Sequence, residues 1–312
     1  MIRPRPIGPG DTLRMIGVSG CLHEDTPEGV RDAAEACRAR FEALGFRVQM
    51  DLTCYKQYGY LSGDDLERAR ALTEAFASDD VDGIVCLRGG WGVNRMLPMV
   101  DFEKIRAHPK AFIGFSDITS LHLALHRHAD LCTFHGPMGT GLDSSAADSL
   151  LHALAGHPDS PFQEEPFTVL RPGRCEGEIA GGNLTLLNAA LGTPYDFDFR
   201  GRILMIEEVH EMVYRVDRCL CQLLLAGKLD GIAGLAFGSF SGCDNEYPSS
   251  GFGLLEILNH YAGFVSGPVI ASLSFGHIRR NLTLPMGQRY CLDTYAGLFA
   301  PATSSERTVT LC

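Results

Sequence analysis

Three residues with the chemistry of a hydrolytic triad each follow an apolar run: Ser116 after Ala111-Phe112-Ile113-Gly114-Phe115, Glu207 after Ile203-Leu204-Met205-Ile206, and His277 after the run 269–276. A serine hydroxyl can attack a carbonyl if an imidazole takes its proton. A carboxylate bonded to one imidazole nitrogen fixes the tautomer and leaves the other nitrogen free for that task. Ligand sites of open α/β sheets lie outside the carboxyl ends of strands, so three strand-end residues can converge. The order Ser, Glu, His is one that known triads use. Each residue also has a structural reading. Ser116-Asp117-Ile118-Thr119 carries helix N-cap residue types, and His277 in Gly276-His277-Ile278-Arg279-Arg280 can bond a backbone carbonyl. Glu207 is followed by Glu208, and either can be an exposed strand-end charge. Local spacing leaves these alternatives open.

A second candidate is Arg88-Gly89-Gly90-Trp91-Gly92, directly after the apolar run 83–87. Three glycines in four positions let a backbone approach a ligand closely and present N–H donors. The GxGxxG fingerprint and a Walker lysine are both absent, which argues against dinucleotide and nucleoside triphosphate binding. A plain turn is the alternative. Trp91, the single tryptophan, is either a packing residue or a platform for substrate.

Strands and helices alternate around these residues. Residues 13–18 read as a strand, and Thr26-Pro27-Glu28 opens a helix that Gly45 ends. Residues 47–50 form a weaker strand, 62–76 a helix with Asp65 placed as a capping-box partner, and 83–87 and 111–115 two further strands. Such repetition implies right-handed crossovers and a mostly parallel sheet. Periodicity fades between 145 and 177, where Pro158, Pro161, Pro166 and Pro172 crowd together, so a linker is expected there. The reading is therefore an α/β protein with a first domain over 1–150, a linker over 151–176 and a second domain over 177–312. The second half holds strand signals at 202–206, 232–240 and 268–275 and a helix at 214–226.

At 312 residues, two domains are the better expectation than one core. Hydrophobic residues at 45% and charged residues at 21% are ordinary globular usage, so disorder is not expected. A formal charge of −11 with no basic cluster argues against a nucleic acid polymer as partner. The cysteines are odd in number, 11 in all, and scattered. They suggest neither a disulfide framework nor a metal or redox centre. No apolar run approaches membrane-spanning length and the N-terminus does not read as a secretory signal, so a cytoplasmic location is expected.

Taken in order, several of these blocks resemble the LD-carboxypeptidase family of serine peptidases, whose members include microcin C immunity relatives. They are Arg88-Gly89-Gly90-Trp91-Gly92, Gly114-Phe115-Ser116-Asp117-Ile118-Thr119, His135-Gly136-Pro137-Met138, Gly182-Asn183-Leu184, Ile206-Glu207-Glu208 with Tyr214-Arg215-Val216-Asp217-Arg218, and Phe275-Gly276-His277 before Thr283-Leu284-Pro285-Met286-Gly287. The resemblance implies a flavodoxin-like N-terminal parallel-sheet domain and a smaller C-terminal mixed β/α domain built around a barrel-like sheet, with the site across the cleft. It implies Ser116 as nucleophile, His277 as base and Glu207 as its orienting partner, with the amides of Asp117 and Gly90 as oxyanion hole and no metal or cofactor. Gly89, Trp91 and Asn183 become substrate-contact candidates, and Arg88 and Arg279 candidates for the substrate's terminal carboxylate. A homodimer is implied, acting on a small peptide or peptide conjugate. The leading expectation is hydrolysis of the amide between an L-centre and a C-terminal D-residue, as in murein tetrapeptide. Cleavage of peptidyl or aminoacyl nucleotide conjugates is the second, and a non-catalytic flavodoxin-like binding module a distant third. Two departures bear on pocket shape. Trp91 stands where the family usually has Tyr, and Val18-Ser19-Gly20-Cys21 replaces a usual Pro-Ser pair.

Overall fold

The computed structural model describes residues 1–157, 162, 165–243 and 251–302. Its first half is built from β1 (Thr12–Ile16), α1 (Pro27–Glu42), β2 (Arg47–Met50), α2 (Asp65–Ala77), β3 (Gly83–Cys86), α3 (Val93–Met96), α4 (Phe102–Ala107), β4 (Ala111–Gly114), α5 (Thr119–Ala124), β5 (Thr133–His135) and α6 (Ser144–Leu154). The second half holds β6 (Thr168–Arg171), β7 (Arg174–Asn183), α7 (Leu184–Ala190), β8 (Ile203–Val209), α8 (Val213–Leu225), β9 (Gly234–Ser241), α9 (Leu254–Ala262), β10 (Val269–Ala271), β11 (Leu284–Met286), β12 (Arg289–Asp293) and β13 (Leu298–Pro301).

One sheet has the order β2-β1-β3-β4-β5, all parallel, with β11 added antiparallel to β5. This is the flavodoxin-like order, whose direction reverses between β1 and β3 and opens a crevice at their carboxyl ends. Both faces are covered, as the apolar strands Gly83–Cys86 and Ala111–Gly114 require. Leu72, Phe76 and Leu121 pack with Phe112 on one side, and Val30, Phe41 and Leu150 with Val85 and Ile113 on the other. The second sheet is mixed, β13-β12-β7-β8-β9-β10-β6, and curls into a half-barrel.

Several elements differ from the sequence expectations. The second helix begins at Asp65, with Asp64 as N-cap and Glu67 as its capping-box partner. Ser62 stays outside it because its hydroxyl donates to the Gly20 carbonyl at 2.8 Å. The strand before His277 ends at Ala271, where Ser272 turns to φ 70° and breaks the ladder. Within 151–176, β6 pairs with β10 of the second sheet, while Pro158 and Pro161 lie outside the described residues. Strand β11 crosses back into the first sheet. No helix among the described residues is long and apolar enough to cross a membrane.

Candidate active site

Strand β4 delivers Ser116 into a tight 3₁₀ turn, Ser116–Ile118, that runs on into α5. Ser116 adopts φ 65°, a left-handed backbone that costs a non-glycine residue on the order of 1–3 kcal/mol. Such a turn lifts the side chain out at the sheet edge. The N-cap position of that turn is Phe115, and Ser116 is its first residue. Its hydroxyl donates to His277 Nε2 at 2.9 Å, and His277 Nδ1–H donates to Glu207 Oε2 at 2.7 Å. Ser116, 161 residues distant in sequence from His277, thus joins it and Glu207 in one continuous hydrogen-bonded chain. Phe115 flanks the imidazole with ring centroids 4.9 Å apart.

Both glutamates are buried, contrary to the reading as exposed strand-end charges. Glu207 points to the histidine. Burial raises its pKa, against which the His277 and Asn183 contacts act. Glu208 points the other way and is saturated by structure: it accepts from Asn183 Nδ2 (2.7 Å), Thr185 N–H (2.9 Å), Thr185 Oγ1–H (2.7 Å) and Val209 N–H (2.9 Å). Side chains alternate along a strand, so the two neighbours are committed to opposite tasks. Gly276 lets the His277 loop approach: it has φ 109°, and a β-carbon there would stand 2.6 Å from Glu207 Oε2.

The glycine turn after β3 lies against the serine, since a β-carbon on Gly89 would meet Ser116 Cβ at 2.9 Å. The Gly89 carbonyl accepts from Gly20 N–H at 3.2 Å, which pins this turn to the one after β1. Among the described residues neither the Gly90 nor the Asp117 amide N–H has a backbone acceptor. The Asp117 carboxylate is buried and accepts from Ser19 Oγ–H (2.5 Å) and Val93 N–H (3.1 Å). Burial raises its pKa. It ties together the ends of β1 and β4 and the start of α3. Arg68 on α2 completes the frame, donating to the carbonyls of Val18 (2.8 Å) and Gly92 (3.0 Å) and to Asp65 (2.5 Å). The roles of Arg68, Ser19 and the Asp117 side chain were missed in sequence, although Arg68 does fall in register with Leu72 and Phe76 on the buried face of α2.

The remaining candidates separate. Arg88 is half-buried and donates to the Cys21 carbonyl at 2.8 Å. Trp91 is exposed and meets Tyr60 edge to face at 5.8 Å. Arg279 is exposed and pairs with Asp143 at 3.0 Å. Asn183 is buried, caps α7 through its side-chain oxygen and gives its amide to Glu208. Among the described residues no cluster of three or more His, Cys, Asp or Glu could hold a metal ion.

Residues 14–136 match the LD-carboxypeptidase N-terminal domain and residues 176–292 the LD-carboxypeptidase C-terminal domain. The chain belongs to the LD-carboxypeptidase family. Among LD-carboxypeptidases it is 36% identical over 299 residues to the "Probable murein peptide carboxypeptidase" of Bacillus subtilis, covering 94% of this chain and 92% of that one. It is 33% identical over 279 residues to the murein tetrapeptide carboxypeptidase of Pseudomonas aeruginosa, covering 84% and 89% respectively. The structure of muramoyltetrapeptide carboxypeptidase from Oxalobacter formigenes superposes with a TM-score of 0.79 at 29% identity, over 92% of this chain and 97% of that one. The microcin C7 self immunity protein MccF, in complex with aspartyl sulfamoyl adenosine, shares the fold with a TM-score of 0.86 at 23% identity, over 97% of this chain and 98% of that one.

Proposed function

We propose that this LD-carboxypeptidase is a serine peptidase that removes a C-terminal D-residue from a murein tetrapeptide by way of an acyl-enzyme. The observation that carries the reading is the chain Ser116 Oγ, His277, Glu207, with its contacts of 2.9 and 2.7 Å. His277 Nε2 takes the hydroxyl proton as Oγ bonds to the carbonyl carbon and the carbonyl oxygen becomes an oxyanion. Glu207 stabilises the imidazolium. The proton then passes to the amide nitrogen, the C–N bond breaks, and the D-residue leaves with a free amine. Water enters, gives one proton to His277 and bonds to the acyl carbon, and cleavage of the C–Oγ bond returns that proton to Ser116. The amides of Asp117 and Gly90 are the oxyanion donors in this scheme. Asp117 follows the serine, Gly90 follows Gly89, whose added β-carbon would meet Ser116, and both amides lack backbone acceptors among the described residues.

The departing residue carries a carboxylate, which calls for a cation. Arg88 suits this best, because it stands next to Gly89 and has guanidinium donors beyond the one given to Cys21, whereas Arg279 is drawn outward by Asp143. In this reading the enzyme works in the cytoplasm as a homodimer. The second reading is hydrolysis of an aminoacyl nucleotide conjugate. The exposed Tyr60 and Trp91 pair favours it, since exposed aromatic faces can receive a planar base.

The deciding experiment offers purified protein a murein tetrapeptide and an aminoacyl sulfamoyl adenosine in parallel. Release of the D-residue from the first, unaffected by a chelator and lowered by about 10⁴-fold or more in Ser116→Ala, is expected. Turnover of the sulfamoyl adenosine alone would replace the first reading with the second, and full activity in Ser116→Ala would end both.

A further inference from the structure

Glu207 is fully buried, yet among the described residues only one of its carboxylate oxygens has a hydrogen-bond partner. Oε2 accepts from His277 Nδ1–H, while Oε1 is left without a donor there. The Asn183 amide favours the charged form of Glu207 but gives its hydrogen bond to Glu208. A second buried polar atom of this region, the hydroxyl of Ser239 on β9, also has no partner among the described residues.

The sheet explains why they meet. Strands β8 and β9 pair in step through Ile206 and Phe237, then resume at Glu208 and Phe240, so Glu207 faces the two-residue bulge Gly238-Ser239. Bulges of this kind re-aim a side chain. Gly276 locates both groups at once, since a β-carbon built on it would stand 2.6 Å from Glu207 Oε2 and 2.6 Å from Ser239 Oγ. Ser239 Oγ and Glu207 Oε2 so placed lie within about 5 Å of one another, a gap that a rotation about the serine χ1 would have to close. The bulge is also anchored to the histidine loop, because Ser239 N–H donates to the Phe275 carbonyl at 2.9 Å.

We propose that Ser239 is a positioning residue of the triad, whose hydroxyl donates to Glu207 and holds the carboxylate charged and aimed at His277. This rests on the triad reading above. The groups acting on Glu207 are His277 from the loop after β10, Glu208 on its own strand and Asn183 at the end of β7. Burial and Glu208 favour the neutral acid, and His277 and Asn183 the carboxylate. A hydroxyl adds a donor without adding charge, which favours the ionised form further.

The test compares Ser239→Ala and Ser239→Thr with the parent enzyme, on whichever of the two substrates the parent cleaves. In the alanine variant kcat is expected to fall about 3–30-fold with KM within about twofold, and the acidic limb of the kcat profile to move to higher pH. Threonine, which keeps the hydroxyl, is expected to restore both. An alanine variant with parental kcat and pH profile overturns the proposal, as does a threonine variant equally impaired with an unmoved profile. Glu207→Gln in the same assay separates the two levels. If it keeps parental activity, the triad reading fails. If it is crippled while Ser239→Ala is normal, only the role of Ser239 falls.

Discussion

At the scale of residues, adjacent Glu207 and Glu208 divide the labour of one strand end. Glu207→Gln keeps the shape but alters the charge and the donor pattern facing His277 Nδ1. Its kcat is expected to drop by about 10²–10⁴-fold with unchanged far-UV dichroism. Glu208→Gln leaves the histidine contact in place and keeps one acceptor oxygen, but it turns the other into an NH2 group facing two of the four buried donors that Glu208 serves. Its cost is expected in stability, about 1–3 kcal/mol in a urea titration, with kcat within a few-fold. The reverse ranking would move the triad role to Glu208. Gly276→Ala is a sharper probe of geometry. Its β-carbon has no room beside Glu207 Oε2 and the backbone has positive φ, so activity is expected to fall at least as far as in Glu207→Gln.

At the scale of elements, the turn that carries Ser116 hangs from β4, and β4 is held by a hydrogen-bond relay with one consistent proton arrangement. The Gly114 carbonyl can only accept, so His122 Nε2 carries a proton (2.9 Å). Neutral His122 Nδ1 must then accept from Thr133 Oγ1–H (2.8 Å), and Thr133 accepts from His126 Nε2–H (3.1 Å). Burial holds both imidazoles neutral, His122 lowered to about 4 and His126 to about 3. In the unfolded chain they take up protons near about 6.5. Their neutral-state stability is therefore full above that pH and is lost as pH falls toward 4, at up to about 1.4 kcal/mol per pH unit for each histidine. His126→Gln is expected to give a shallower loss of urea-unfolding free energy between pH 7 and pH 5 than the parent protein. Identical slopes would remove His126 from that account.

At the scale of the molecule, Ser116 follows a strand of one sheet while Glu207 and His277 belong to the other half, so their hydrogen-bonded chain needs the halves to keep a fixed relation. Among the described residues, the features that provide it include these three. Strand β11 returns to the first sheet beside β5, Leu123 of α5 packs into the apolar core of the second half, and Arg279 of the histidine loop pairs with Asp143 at the start of α6. The exposed ion pair adds little, about 0–1 kcal/mol. The buried Leu123 and the paired strand carry the union. Activity and far-UV ellipticity are accordingly expected to disappear together in a urea titration. Activity lost well before ellipticity would mean that the halves part first.

Much of this was written in local pattern. The apolar runs 83–87 and 111–115 announce buried parallel strands, the glycines of 89–92 a close-approach turn, and Ser116 and Glu207 their places on or just past a strand, whereas His277 lies on a loop beyond the strand that ends at Ala271. Other features needed a partner distant in the chain. Nothing near Glu207 and Glu208 says which faces a histidine, because that depends on the side of β8 the His277 loop covers. Asn183 was a substrate-contact candidate by resemblance, and nothing in its neighbourhood says that β7 and α7 bury it and that its amide goes to Glu208. Ser239 is an ordinary serine until the slip between β8 and β9 sets it opposite Glu207. Sequence by itself determined which elements form and which residue types stand at their ends, since periodicity and turn chemistry act over a few residues. Only the tertiary structure decided which of those ends meet. Convergence depends on sheet order, on the bulge at Gly238-Ser239 and on contacts between residues as far apart as Ser116 and His277, and no local pattern encodes those distances.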